Sequence, residues 1–214
     1  MRIGVLGSGL MGAKLGTLWA QAGYEVVFSY SHSRQKLERL AKDAKGKASA
    51  GTPREAADGA DALLLAVHWD NVKDVLDQAG DLTGKIILSC VLPMDGGNTD
   101  LVVAHRSSGG EELQKMASTS RFVAAFNTVP SEVLFKVFAD RKGVKRPNVI
   151  ICGDDGGAKK VASGLIHDLG FDAVDAGPMK VSRYLEPFGL LIGQLAYEAG
   201  PSPELSYRFD WHNK

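Results

Sequence analysis

The sequence predicts an α/β protein, a doubly wound parallel sheet with a small C-terminal α/β extension and a long buried final helix. Three observations predict it. Short apolar runs of strand length alternate with stretches of helical period through most of the 214 residues, the pattern of parallel strands joined by crossover helices. A glycine-rich turn follows the first such run directly. Residues 181–199, read as one helix, are apolar over much of its circumference through Leu185, Leu190, Leu191, Ile192 and Leu195, which calls for burial in the protein or at a subunit interface.

Taken in order, Arg2–Leu6 is the first strand. Residues 10–22 form the first helix, with Leu10, Ala13, Leu15, Leu18 and Trp19 on a broad apolar face and Gly23 where a C-terminal cap belongs. Glu25–Ser29 is the second strand, and a helix over 33–44 follows. Thr52, Pro53 and Glu55 make a capping box that opens a short helix ending near Gly59. The continuous apolar runs at 62–67 and 85–89 are central strands buried on both faces, joined by a helix over 71–79. Residues 91–110 contain Pro93, Gly96, Gly97, Gly109 and Gly110 without a clear period, so they form a long loop over the sheet. Ser108 and Glu111 are a second capping box, opening a helix to about residue 117. A strand at 122–126 is stopped by Asn127, Thr128 and Pro130. The basic segment 143–147 reads as a connection that divides the chain into 1–142 and 143–214. The second part begins with a strand (149–152), a helix (158–169) and a strand (171–174).

Composition excludes several classes of partner. Lys and Arg number 25 and so do Asp and Glu, which leaves no net field to draw in nucleic acid or an anionic membrane. Cys90 and Cys152 lack disulfide or zinc spacing and read as small apolar core residues in a reducing compartment; no metal is expected. No leader precedes the first strand, and no apolar run nears the roughly 18 residues of a membrane span, so a cytoplasmic location is expected.

Gly7, Gly9 and Gly12 make GxGxxG between a strand and an apolar helix, the context that turns a weak pattern into a dinucleotide-binding, or Rossmann, fingerprint. Gly7, Ser8, Gly9, Leu10, Met11 and Gly12 are therefore expected to hold a pyrophosphate on the helix start. About 20 residues on, where an acidic residue would bind the ribose 2′-hydroxyl of NAD, the chain instead reads Ser29, Tyr30, Ser31, His32, Ser33, Arg34, Gln35, Lys36. Hydroxyls and cations suit a 2′-phosphate, so NADP(H) is expected, held by Ser31, His32, Ser33 and Arg34. Lys36 is read equally well as a further contact or as solvated helix surface.

In a sheet of this kind the ligand lies outside the C-terminal strand ends. That points to Val67, His68 and Trp69, to Cys90 and Val91 with Leu92 and Pro93, and to Asn127 with Thr128. The set is mostly apolar, which suits hydride transfer between stacked rings rather than hydrolysis. Asn127 and His68 are the catalytic candidates, but no carboxylate can be named to orient His68. Cys90 has no basic partner and reads as packing as well as cleft lining. His105 and Arg106 are open between contacts to an anionic substrate tail and solvated loop positions. Asp154 and Asp155 stand before a helix, where acidic residues cap.

Together these motifs resemble the coenzyme F420-dependent NADP oxidoreductase family over almost the whole chain. The resemblance rests on the stretch from Gly7 to Gly12, the Trp69 segment, and Phe126-Asn127-Thr128-Val129-Pro130. It continues through Cys152-Gly153-Asp154-Asp155 and Asp175-Ala176-Gly177-Pro178 to Arg183 and Glu186. It implies an NADP-binding Rossmann domain over 1–142, and a small C-terminal lobe over 143–214 that contributes the acceptor pocket and a homodimer contact. It also implies hydride transfer between NADPH and a deazaflavin, coenzyme F420, or a flavin. Members that use the deazaflavin can carry His where this chain has Asn127, and Pro where it has His68. Two alternatives stand beside this reading: an NADPH-dependent reductase of a small carbonyl or imine compound, and a non-catalytic NADP(H) sensor.

Overall fold

The computed structural model describes residues 1–212. Strands β1 (Arg2–Leu6), β2 (Glu25–Ser29), β3 (Ala48–Ala50), β4 (Ala62–Leu65), β5 (Ile86–Ser89) and β6 (Arg121–Ala124) form one sheet in the order β3-β2-β1-β4-β5-β6. Every neighbouring pair is parallel. The order reverses between β1 and β4, which opens a crevice above their C-terminal ends. Around the sheet lie α1 (Leu10–Gln21), α2 (Arg34–Asp43), α3 (Pro53–Ala57), α4 (Val72–Ala79), α5 (Gly109–Met116) and α6 (Leu134–Ala139).

Because successive strand residues point to opposite faces, the strands feed two cores. Val5, Leu64, Leu88 and Val123 enter one with Leu15, Leu18 and Trp19 of α1. Leu6, Leu65, Ile87 and Phe122 enter the other with Val75 and Leu76 of α4. The unbroken apolar runs thus serve a sheet covered on both sides, as expected.

Beyond residue 142, β7 (Asn148–Ile151), α7 (Gly156–Asp168) and β8 (Asp172–Asp175) form a two-stranded parallel unit. An antiparallel bridge between Ala124 and Cys152 ties it to the end of β6. The 142/143 boundary separates two sheets, but not two cores. Val149, Ile151, Leu165, Ile166 and Phe171 belong to the same cluster as Trp19 and Phe126. Asp155 caps α7 by accepting the Ala158 N–H at 2.6 Å, while Asp154 accepts from the Met179 N–H and the Gln114 amide.

Three local features differ from expectation. β3 and α6 have no counterpart in the sequence reading. The loop after β5 is ordered as a small hairpin, with Met94 bridged to Leu101 and the Asp95 carboxylate accepting the Thr99 N–H and hydroxyl, each at 2.7 Å. The final helix is not one α-helix. A 3-10 turn (Met179–Val181) leads into α8 (Ser182–Gly193), which carries Pro187, and a π-helical turn (Gln194–Ala199) follows. Leu185, Ile192 and Ala196 are buried, whereas Tyr184, Leu191, Leu195 and Tyr197 are exposed. Among the described residues no helix is long and apolar enough to cross a membrane.

Candidate functional site

β1 delivers the chain to Gly7, whose φ of 114° is left-handed territory that glycine enters freely. A Cβ there would overlap the Ala66 carbonyl beyond β4, and one at Gly12 would overlap the carbonyl of Gly7. Both glycines are required by the fold itself. Gly9 is different. Its φ of −76° suits any residue, and an added Cβ would meet no protein atom within 4 Å. What its missing side chain keeps clear is the space above the loop. α1 starts there with no side-chain cap and no acidic residue in its first turn, so its free N–H groups and the positive end of its dipole are left for an anion.

That space is a cleft of about 780 Å³. Residues 7–11 make its floor, Ser31, His32, Arg34 and Lys36 one end, and Val67, His68 and Cys90 the other. The strand ends beneath are tied together. Ser8 Oγ donates to the Ser29 carbonyl at 2.8 Å, and Ser29 Oγ donates to that of Val5 at 2.7 Å. Arg34 is mostly exposed and shares Nε with Glu38 at 3.1 Å, which leaves its terminal N–H groups for a ligand. Ser33, expected to bind cofactor, does not line the cleft. Its hydroxyl caps α2 by accepting the Lys36 N–H at 3.3 Å.

Residues 2–93 match the family model described as NADP oxidoreductase, coenzyme F420-dependent. The matched stretch runs from β1 past β5 and contains every residue that lines the cleft. By this match residues 2–93 are similar to the F420-dependent NADP oxidoreductase family. Metalloreductase STEAP3 of Rattus norvegicus is 26% identical over 189 residues, covering 88% of this chain and 36% of that protein. The chain thus spans about a third of that relative's length. A solved structure from Arthrobacter sp. FB24, of a protein proposed to be an F420-dependent NADP-reductase, superposes with a TM-score of 0.86 at 22% identity. It covers 99% of this chain, which covers 100% of it. Hypothetical protein SMa0349 from Sinorhizobium meliloti gives 0.78 at 23% identity, over 98% of this chain and 96% of its own. Both share the fold from end to end.

The other residues expected at the site occupy distinct places. Cys90, at the end of β5, donates its thiol to the Leu65 carbonyl at 3.4 Å, and burial pushes that thiol up to about 12. It therefore lines the cleft as an inert apolar surface. His68 is exposed and caps the turn Trp69–Asn71 without a side-chain bond. Val91 is buried in the core cluster that contains Leu6 and Leu65, and the half-buried Trp69 packs against that cluster; neither lines the cleft. Asn127 also stands off it. Two residues past the end of β6 comes Phe126, held at a left-handed φ of 63° with Trp19 and Phe171 edge-on against its ring. Asn127 follows, buried, with its Oδ1 unpartnered. Gly189 of α8 packs close to the Asn127 carbonyl, and Thr128 shares a 2.6 Å hydrogen bond with Tyr207.

Arg183 and Glu186 of α8 act on the long loop. Glu186 is almost wholly buried and accepts the N–H groups of Gly109 and Gly110, each at 2.9 Å. Burial pushes this carboxyl up to about 7, against the pull of those two bonds. Arg183 grips Glu111 with two bonds of 2.7 Å, holding its carboxyl below the usual range.

The cleft also contains residues that sequence reasoning did not assign. Tyr30 lines it from the end of β2, Thr52 and Pro53 from the start of α3, and Asn71, Asp74 and Gln78 from one face of α4 and the turn before it. The helical spacing of 71, 74 and 78 was the available signal.

Proposed function

We infer that the chain is an NADP(H)-dependent oxidoreductase that passes a hydride between the nicotinamide and a flavin-like or deazaflavin acceptor, coenzyme F420 being the deazaflavin. The observation that carries the dinucleotide half is Gly9, a glycine that neither packing nor backbone demands, opening onto a cleft with an uncapped helix start at its floor. Preference for the phosphorylated dinucleotide is supported by the cleft end, where Ser31, His32, Arg34 and Lys36 stand and the C-terminal end of β2 carries no carboxylate.

NADPH bound there supplies the hydride. The protein positions and shields. Val67 and Cys90 give the reacting end an apolar wall. Asn127 is assigned no ligand contact, since its Oδ1 is buried and the residue stands off the cleft. No proton donor is assigned, because none of the described side chains bonds His68 to orient it. This separates the reading from that of a carbonyl or imine reductase, which needs an acid.

Steady-state assays following NADPH oxidation should show turnover with coenzyme F420 or its chromophore, FMN, FAD or riboflavin, and His68→Ala should change it by less than about tenfold. Turnover of a simple aldehyde or imine instead, abolished by His68→Ala, would overturn the acceptor assignment. Binding of NADPH with no turnover of any of these would leave a sensor.

A further inference from the structure

Tyr30, Asp74 and Gln78 line the dinucleotide cleft but play no part in the phosphate-binding motif. Tyr30 follows β2 directly with φ at 58°, a left-handed backbone that bulky residues avoid. Three constraints hold it there. Its carbonyl accepts the Ser8 N–H at 3.3 Å, which fixes its backbone to the glycine loop. Its ring packs against the core cluster that contains Leu6, Leu65 and Val72, yet remains partly open to the cleft. Its hydroxyl donates to Asp74 Oδ2 at 2.7 Å, and that same oxygen accepts Gln78 Nε2 at 2.9 Å.

The brace joins the two walls of the cleft, since β2 and β4 flank β1 and α4 follows β4. Both ends keep their roles across physiological pH. Burial and the bond to Asp74 push the phenol up to about 12, and the bonds from Tyr30 and Gln78 hold the Asp74 carboxyl below its usual range. Tyr30 is therefore an immobilised aromatic ring one residue from Ser31, beside the cluster assigned to the 2′-phosphate. In NADP(H) the ribose that bears the 2′-phosphate also bears the adenine. A ring already fixed in place loses little freedom when a base stacks on it, and stacking is what an aromatic face offers a purine.

We propose that Tyr30, braced by Asp74 and Gln78, is the platform on which the adenine of the dinucleotide stacks, and that it sets affinity for the adenosine half. This rests on the NADP(H) reading above, so the test uses a ligand that contains only that half. Calorimetric titration with 2′,5′-ADP should give a dissociation constant about tenfold or more weaker for Tyr30→Leu than for the parent protein. Tyr30→Phe, which keeps the face and loses the brace, should fall between them. Tyr30→Trp should keep most of the affinity, and its added indole emission, taken as the difference from the parent, should be quenched as 2′,5′-ADP binds. That signal decides the matter even if Tyr30→Leu fails to fold. Equal affinity for Tyr30→Leu and the parent, or no change in the added emission at saturation, overturns the platform while leaving the dinucleotide site intact. A parent protein that binds neither 2′,5′-ADP nor NADPH overturns both.

Discussion

At the scale of single residues, the three glycines of the loop can be told apart by what each would hit. Gly12→Ala pushes a methyl into the Gly7 carbonyl, an overpacking that typically costs 1–3 kcal/mol, roughly the cost of a strained core substitution. Gly9→Val places its side chain in open cleft and costs only the difference between glycine and valine before a helix, about 1 kcal/mol. It should therefore melt within a few degrees of the parent and keep its far-ultraviolet spectrum, yet bind no NADPH by calorimetry. A folded Gly9→Val protein with parental affinity would move the ligand elsewhere. The spacing of these glycines and the missing carboxylate after β2 were legible because local backbone rules fix them. The places of Ser33 and Asn127 were not. A serine beside a helix start can cap or bind a ligand, and only the fold shows that Ser33 caps. Asn127 stands off the cleft because α8, some 60 residues later, lies against it, as the close approach of Gly189 shows.

Elements show the same division between local and distant causes. At Thr52 and Glu55 the expected capping box is complete, the Thr52 N–H donating to the carboxylate at 2.7 Å and the Glu55 N–H to the hydroxyl at 3.2 Å. At Ser108 and Glu111 only half forms, because Arg183 takes the Glu111 carboxylate and Glu186 takes the first N–H groups of α5. No local spacing announces partners more than 70 residues away. β3 was invisible for another reason: Ala48, Ser49 and Ala50 are too few and too small to carry a strand signal, and β2 pairs with them along their whole length. The α8–α5 clamp carries a pH signature. Glu186 titrates near 7 in the folded protein and at an ordinary carboxyl value when unfolded, so between about 4.5 and 7 only the folded chain holds the proton. Its contribution is full below the unfolded value and is lost as pH rises through 7. Urea unfolding of the parent and of Glu186→Gln across that range should show the parent losing on the order of 1–3 kcal/mol relative to the variant, then running parallel to it. A pH-independent difference between the two would mean that the two backbone donors keep Glu186 ionised throughout.

On the scale of the whole molecule, the cleft and the core make opposite suggestions about what can be cut away. Every residue lining the cleft lies between Gly7 and Cys90, and the sequence breaks at 143–147, as though residues 1–142 were a self-contained cofactor domain. The core says otherwise. Trp19 is fully buried, and its Nε1 donates to the Leu165 carbonyl at 3.1 Å. Phe126 is packed between Trp19 and Phe171, and Val149, Ile151, Ile166 and Leu169 complete the same cluster. Composition and turn signals mark where a chain can bend, but which faces the two halves bury in each other depends on contacts made only after folding. Removing residues 143–214 would bare Trp19 and Phe126 and take away the Leu165 carbonyl that accepts the Trp19 indole N–H. Large buried side chains are each worth about 1.5–3 kcal/mol, against a net stability of roughly 5–15 kcal/mol for a domain, so losing several of them exhausts it. The fragment 1–142 should then show no cooperative unfolding and no NADPH binding. In the full chain, with Trp69 and Trp211 replaced by Phe, Trp19 emission and far-ultraviolet dichroism should follow a single denaturant transition with one midpoint. A fragment that melts cooperatively and binds NADPH, or a full chain whose two probes separate, would show instead that the first half folds on its own and the second only docks against Trp19.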